Sequence, residues 1–143
     1  MNRRNQTKRI LLVEDEDRVR DSICAMLRAR GFTVVPAADG RSALREVERV
    51  RPDVVLTDLF MPELDGIELI GVLQEIAPEI PIIAMSTRIK PVTVDYIEIA
   101  MKLGAVAGFY KPLDEVRLLQ ALDFALLSRP SPAPIPVMAA RVA

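Results

Sequence analysis

An α/β fold is predicted for this chain: a doubly wound, five-stranded parallel sheet flanked by five helices. Two observations carry the prediction. Short apolar runs alternate with amphipathic stretches from Ile10 to Leu126, which implies parallel strands with helices on both faces. Right-handed crossovers leave few topologies, and the common order 2-1-3-4-5 puts its switch point between the first and third strands. Those two runs are also the ones that end in acids, Glu14-Asp15 and Asp58.

The elements follow in order. Ile10 to Val13 reads as a buried strand. Val19, Ile23, Met26 and Leu27 recur at helical spacing, and Gly31 stops that helix. Thr33 to Val35 is a β-branched strand. Ala43, Leu44, Val47 and Val50 mark the second helix, with Asp39 as its N-cap. Val54 to Thr57 is the third strand, and Asp58 stands at its tip. After a turn from Pro62 to Gly66, where Asp65 caps, Ile67, Leu69, Ile70, Leu73 and Ile76 mark the third helix. Pro81 opens the strand Ile82 to Met85. A polar loop with Pro91 leads to a helix carrying Ile97, Ala100, Met101 and Leu103, closed by Gly104. Val106 to Tyr110 is the fifth strand. Val116, Leu118, Leu119, Leu122, Phe124, Ala125 and Leu126 form the last helix.

The 143 residues, half of them apolar, fit one domain with a real core. Residues 1–8 form a basic arm with Arg3, Arg4 and Lys8. Residues 9–128 form the domain. In residues 129–143, Pro130, Pro132, Pro134 and Pro136 alternate, which favours an extended, disordered tail over a helix. A net charge of −1 argues against a nucleic-acid partner. No apolar stretch approaches the ~20 residues needed to cross a bilayer, and the polar start is unlike a signal peptide. A cytoplasmic protein with no membrane partner is expected. Cys24 is the only cysteine, so no internal disulfide forms, and it reads as core filler. Histidine is absent, which removes histidine acid–base catalysis and histidine metal sites.

Strand C-termini converge on one crevice in such a sheet. Glu14, Asp15 and Asp58 would meet there with Lys111, which ends the fifth strand just before Pro112. Three carboxylates in one crevice repel each other, and a bound cation removes that penalty. Phosphoryl transfer mainly needs positioning and neutralised charge. Three acids and one lysine therefore point to a divalent metal and a phosphoryl group.

Five spaced segments carry a resemblance to a known family. They are Ile10 to Glu16, Asp58 to Gly66, Pro81 to Ser86, Gly104-Ala105 and Lys111-Pro112. Together they resemble the receiver domain of two-component response regulators, over about residues 9–127, with its flavodoxin-like fold. The resemblance implies that Asp58 is the phosphoacceptor, taking its phosphoryl group from a sensor histidine kinase or a histidine phosphotransfer protein. It implies Mg²⁺ bound by Asp15 and Asp58, by Glu14 through water, and by the backbone carbonyl of Phe60. Lys111 and Ser86 would contact phosphoryl oxygens. The peptide before Pro112 would be cis. A downstream protein would read the surface of the fourth helix, fifth strand and fifth helix, and a homodimer is one arrangement the chain permits.

Two positions depart from the family pattern. Receivers usually carry an aromatic ring three residues before the lysine, where this chain has Gly108. Alternation sets Phe109 on the opposite face from Gly108, and Tyr110 on the same face. The residue after Ser86 is usually very small, and here it is Thr87. Phe60 and Arg88 stand where receivers tune water access, so an apolar Phe60 with a partly blocking Thr87 predicts slow hydrolysis of the acyl phosphate.

The reading that best unites these features is a stand-alone receiver that switches partner binding and is no enzyme beyond its own phosphorylation and slow dephosphorylation. A receiver-shaped binding module independent of phosphorylation is the alternative, although it would not need the intact acid–lysine set. A Mg²⁺-dependent phosphohydrolase is weaker, because Phe60 stands where that class would carry a second aspartate.

Overall fold

Strands buried on both faces need apolar residues at successive positions, with alternate side chains feeding two separate cores. The structure, a computed structural model, has this form and describes residues 7–61, 64–87 and 94–128. The elements are β1 (Arg9–Val13), α1 (Asp17–Ala29), β2 (Thr33–Ala37), α2 (Gly40–Val50), β3 (Val54–Asp58), α3 (Gly66–Ile76), β4 (Ile82–Ser86), α4 (Tyr96–Leu103), β5 (Ala107–Tyr110) and α5 (Glu115–Ser128). Among the readings above, Arg3, Arg4, Pro62, Arg88, Pro91 and the tail 129–143 lie outside the described residues.

All pairings are parallel, in the order β2-β1-β3-β4-β5. Leu11, Val13, Val55 and Ala84 pack with Leu69, Ile70, Leu73 and Ala100 in one core, beneath α2, α3 and α4. Ile10, Leu12, Leu56 and Met85 pack with Leu27, Leu118 and Leu122 in the other, beneath α1 and α5. Cys24 is buried in that second core, as its apolar neighbours predict.

The caps follow sequence chemistry. Asp39 accepts from the Ser42 N–H at 2.7 Å and Asp65 from the Glu68 N–H at 2.9 Å, each satisfying an orphan donor of its helix. Gly104, at φ 124°, ends α4. Two details differ from expectation. β2 runs on through Pro36 to Ala37, which an edge strand tolerates because one side of its backbone needs no partner. α2 ends at Arg51 in the left-handed region (φ 48°), where neither glycine nor asparagine marks the stop.

Candidate functional site

The sheet register brings the functional residues to one edge. Val13 pairs with Thr57, so Glu14 and Asp15 leave β1 level with Asp58. Asp58 pairs with Met85, so Ser86 lies one residue beyond it on β4. Ser86 pairs with Tyr110, and its carbonyl accepts from the Lys111 N–H at 2.9 Å. The buried polar or charged side chains among the described residues are Glu14, Thr57, Asp58 and Ser86, all at these strand ends. Burying polar groups costs free energy unless they are paired, so their concentration here marks the edge as built for chemistry.

Each is paired. Lys111 bonds Glu14 Oε1, and its ammonium lies 3.4 Å from Asp58 Oδ2. The other Glu14 oxygen accepts from the Glu16 N–H at 3.2 Å. The Phe60 N–H points to Asp58 Oδ1 at 3.4 Å, and Thr57 donates its hydroxyl to the Asp58 carbonyl at 2.9 Å. The Ser86 hydroxyl bonds the Thr87 carbonyl at 3.1 Å. Among the described residues no buried side-chain nitrogen or oxygen lacks a partner. The Lys111–Pro112 peptide is cis.

Glu14, Asp15 and Asp58 each bring a carboxylate oxygen within 4.8 Å of the others. One ammonium against three carboxylates leaves formal negative charge over. Burial, then the adjoining Glu14 carboxylate, raises the pKa of Asp15 above its ordinary value. Burial pulls Lys111 down, but its bond to Glu14 and the charges of Asp58 and Glu14 outweigh that and raise it, so its charge is secure. Hard oxygen donors with surplus negative charge, one of them exposed to solvent, fit a divalent cation that keeps part of its water shell.

Gly66 fixes the spacing of the β3–α3 turn. A Cβ there would strike the Asp58 carbonyl and come within 2.6 Å of Leu59 Cα. The Gly66 N–H donates to the Leu59 carbonyl at 3.1 Å. The first turn of α3 thus rests on the peptide that carries Asp58.

The structure also makes contacts that the sequence did not single out. Phe60 meets Tyr96, the first residue of α4, edge-on, with ring centroids 4.7 Å apart. Tyr110 donates its hydroxyl to Asp95, the N-cap of α4. Arg20 donates to the Glu14 carbonyl at 2.9 Å and pairs with Asp17. Asp95 before an amphipathic run is a readable capping signal. The two ring contacts are tertiary and left no local signature.

Comparison with known proteins agrees with this geometry. The family model described as response regulator receiver domain matches residues 10–123. The transcriptional regulatory protein PdtaR of Mycobacterium tuberculosis is 34% identical over 122 residues, which cover 83% of this chain and 57% of that protein. GlrR of Escherichia coli is 32% identical over 117 residues, covering 82% of this chain and 26% of GlrR. The chain thus spans about half and about a quarter of these two relatives. Among solved structures, a receiver domain protein from Clostridium thermocellum superposes with a TM-score of 0.77 at 28% identity, covering 84% of this chain and 94% of that one. Chemotaxis protein CheY4 of Vibrio cholerae gives 0.75 at 28% identity, over 85% of this chain and 100% of that one. With this family match laid over a five-stranded sheet of order 2-1-3-4-5 and an acidic cluster at its switch point, the chain belongs to the response regulator receiver domains of two-component signalling.

Proposed function

We propose that this chain accepts a phosphoryl group on Asp58 from the phosphohistidine of a sensor histidine kinase or histidine phosphotransfer protein, and that the acyl phosphate changes which partner it binds. The observation that carries the reading is the Lys111 ammonium shared between Glu14 and Asp58, beside a cluster of three carboxylates.

A carboxylate oxygen of Asp58 attacks phosphorus, the P–N bond breaks, and the donor imidazole leaves with the electron pair. Asp15, Asp58, Glu14 and the Phe60 carbonyl would hold Mg²⁺, and the ion would supply neutralising charge there. Lys111, whose ammonium lies 3.4 Å from Asp58 Oδ2, turns that side to a phosphoryl oxygen. Ser86 exchanges its bond to the Thr87 carbonyl for another. Water later cleaves the acyl phosphate and restores Asp58. No separate substrate is turned over.

The energies suffice for a switch. Charge-assisted hydrogen bonds contribute about 1.5–3 kcal/mol each, and inverting a two-state equilibrium takes roughly 5.5 kcal/mol of differential binding. Two or three new contacts reach that figure. A groove of about 670 Å³ beside Lys111, walled by Val19, Ile23, Met26, Pro112 and Leu113, suits an apolar helix face of the phosphodonor. Among the described residues no helix is long and apolar enough to cross a membrane, and the net charge of −1 gives no nucleic-acid footprint.

The test is incubation with Mg²⁺ and acetyl phosphate, followed by intact-mass measurement. One added phosphoryl group, absent in Asp58→Asn, is expected. An unmodified wild type would overturn the reading and leave the phosphorylation-independent binding module.

A further inference from the structure

β5 offers α4 no side chain at Gly108. Ile97 of α4 fills the gap: a Cβ at Gly108 would collide with Ile97 Cγ2 and lie 3.3 Å from its Cδ1. The Asp58 pocket reaches α4 from two other sides. Phe60, whose N–H faces the Asp58 carboxylate, lays its ring against Tyr96 at an interplanar angle of 76°. Tyr110, next to Lys111, bonds Asp95, which also accepts from the Ile97 and Glu98 N–H groups at the start of α4. Both tyrosines of the chain therefore meet at the same helix end.

We propose that Tyr96 is a positioning residue, linking the state of Asp58 to the N-terminus of α4 through the ring of Phe60. The inference rests on the phosphoacceptor reading. Converting the Asp58 carboxylate to an acyl phosphate changes the acceptor that the Phe60 N–H faces. In a tight turn that peptide reorients, and its ring moves with it. Edge-to-face pairs hold a specific geometry, and packed interiors deform in discrete steps rather than continuously. Tyr96 follows Phe60, and Tyr96 opens the helix. The Asp95–Tyr110 bond holds the other side of that helix end, so the motion is a tilt about the Asp95 cap rather than a release.

The test is amide hydrogen exchange on the full chain, with and without acetyl phosphate and Mg²⁺, with intact mass confirming modification. In wild type the Ile99 and Ala100 amides are expected to change exchange rate several-fold on phosphorylation. In Tyr96→Leu, modification should persist while that difference falls by more than half. Tyr96→Phe should restore it. A merely structural role would alter exchange equally in both states and leave the difference intact, which would overturn the proposal. Tyr110→Phe adds a second readout, because with no tryptophan in the chain its fluorescence comes from Tyr96 alone. A signal unchanged on full modification would also overturn the proposal. A wild type that gains no phosphoryl group would instead remove the phosphoacceptor reading, and this inference with it.

Discussion

Lys111, leaving β5, bonds Glu14, leaving β1, across the tips of the intervening strands β3 and β4. One ammonium thus closes the acid cluster from the far side, with Asp58 between the pair's two strands. Glu14 is 1% exposed, and its other oxygen accepts from the Glu16 N–H. Lys111→Met is expected to lower stability in urea denaturation by about 1–3 kcal/mol, the cost of leaving a buried charged group short of a partner. Adding Glu14→Gln should recover part of the loss. An unchanged midpoint in Lys111→Met would mean that the pair contributes nothing to the fold.

Asp15 is expected to behave in the opposite way. It adds a third negative charge within 4.8 Å of two others, more than the nearby Lys111 charge offsets. Asp15→Asn should raise metal-free stability by about 1 kcal/mol, the repulsion of unit charges at this range in a water-like dielectric. Magnesium should raise the melting temperature of wild type by mass action, chelator should reverse this, and the variant should lose most of the response. Calorimetric melting with and without the ion decides it.

Phe60, two residues after Asp58, carries an apolar ring where a polar side chain could orient water. Phe60→Asn is expected to shorten the lifetime of the phosphorylated form several-fold, followed by loss of the added mass after the donor is removed. A longer lifetime in the variant would count against the shielding role.

The Asp39 cap gives a pH dependence of definite sign. The Ser42 N–H, then the Ser42 side chain, hold its pKa below 3.8. A carboxyl lowered in the folded state adds stability that is fully present above 3.8 and is lost as pH falls through the lowered value. Asp39→Ala should therefore cost about 1 kcal/mol near neutral pH. The gap to wild type should narrow only below 3.8, measured as urea midpoints across an acid series.

Much of this was legible because the fold rests on local patterning. β1 from Ile10, β3 up to Leu56 and β4 up to Met85 are unbroken apolar runs, so the acid or hydroxyl at each tip stood out as a candidate: Glu14, Asp58 and Ser86. Lys111 was legible by the same logic on β5. Gly108 was visible as an anomaly, but its filler was not, because Ile97 lies in another element and looks like any core position of α4. The Phe60–Tyr96 contact depends on how α4 docks against the β3–α3 turn, which no periodicity encodes. The last helix was over-read in one respect: Val116 and Phe124 matched its apolar pattern, yet they are 63% and 61% exposed. Leu118, Leu122 and Ala125 are buried in the core, and Leu119 and Leu126 pack against it partly buried.

Gly66 sets a limit on how this architecture can vary. Because bare backbone meets bare backbone where α3 leaves the Asp58 peptide, even a methyl group there has nowhere to go. A larger residue would lever the whole helix away and draw Leu69, Ile70 and Leu73 out of the core beneath α2, α3 and α4. The Asp58 carboxylate and half the hydrophobic interior thus share one hinge point, and an alteration aimed at either is felt by both.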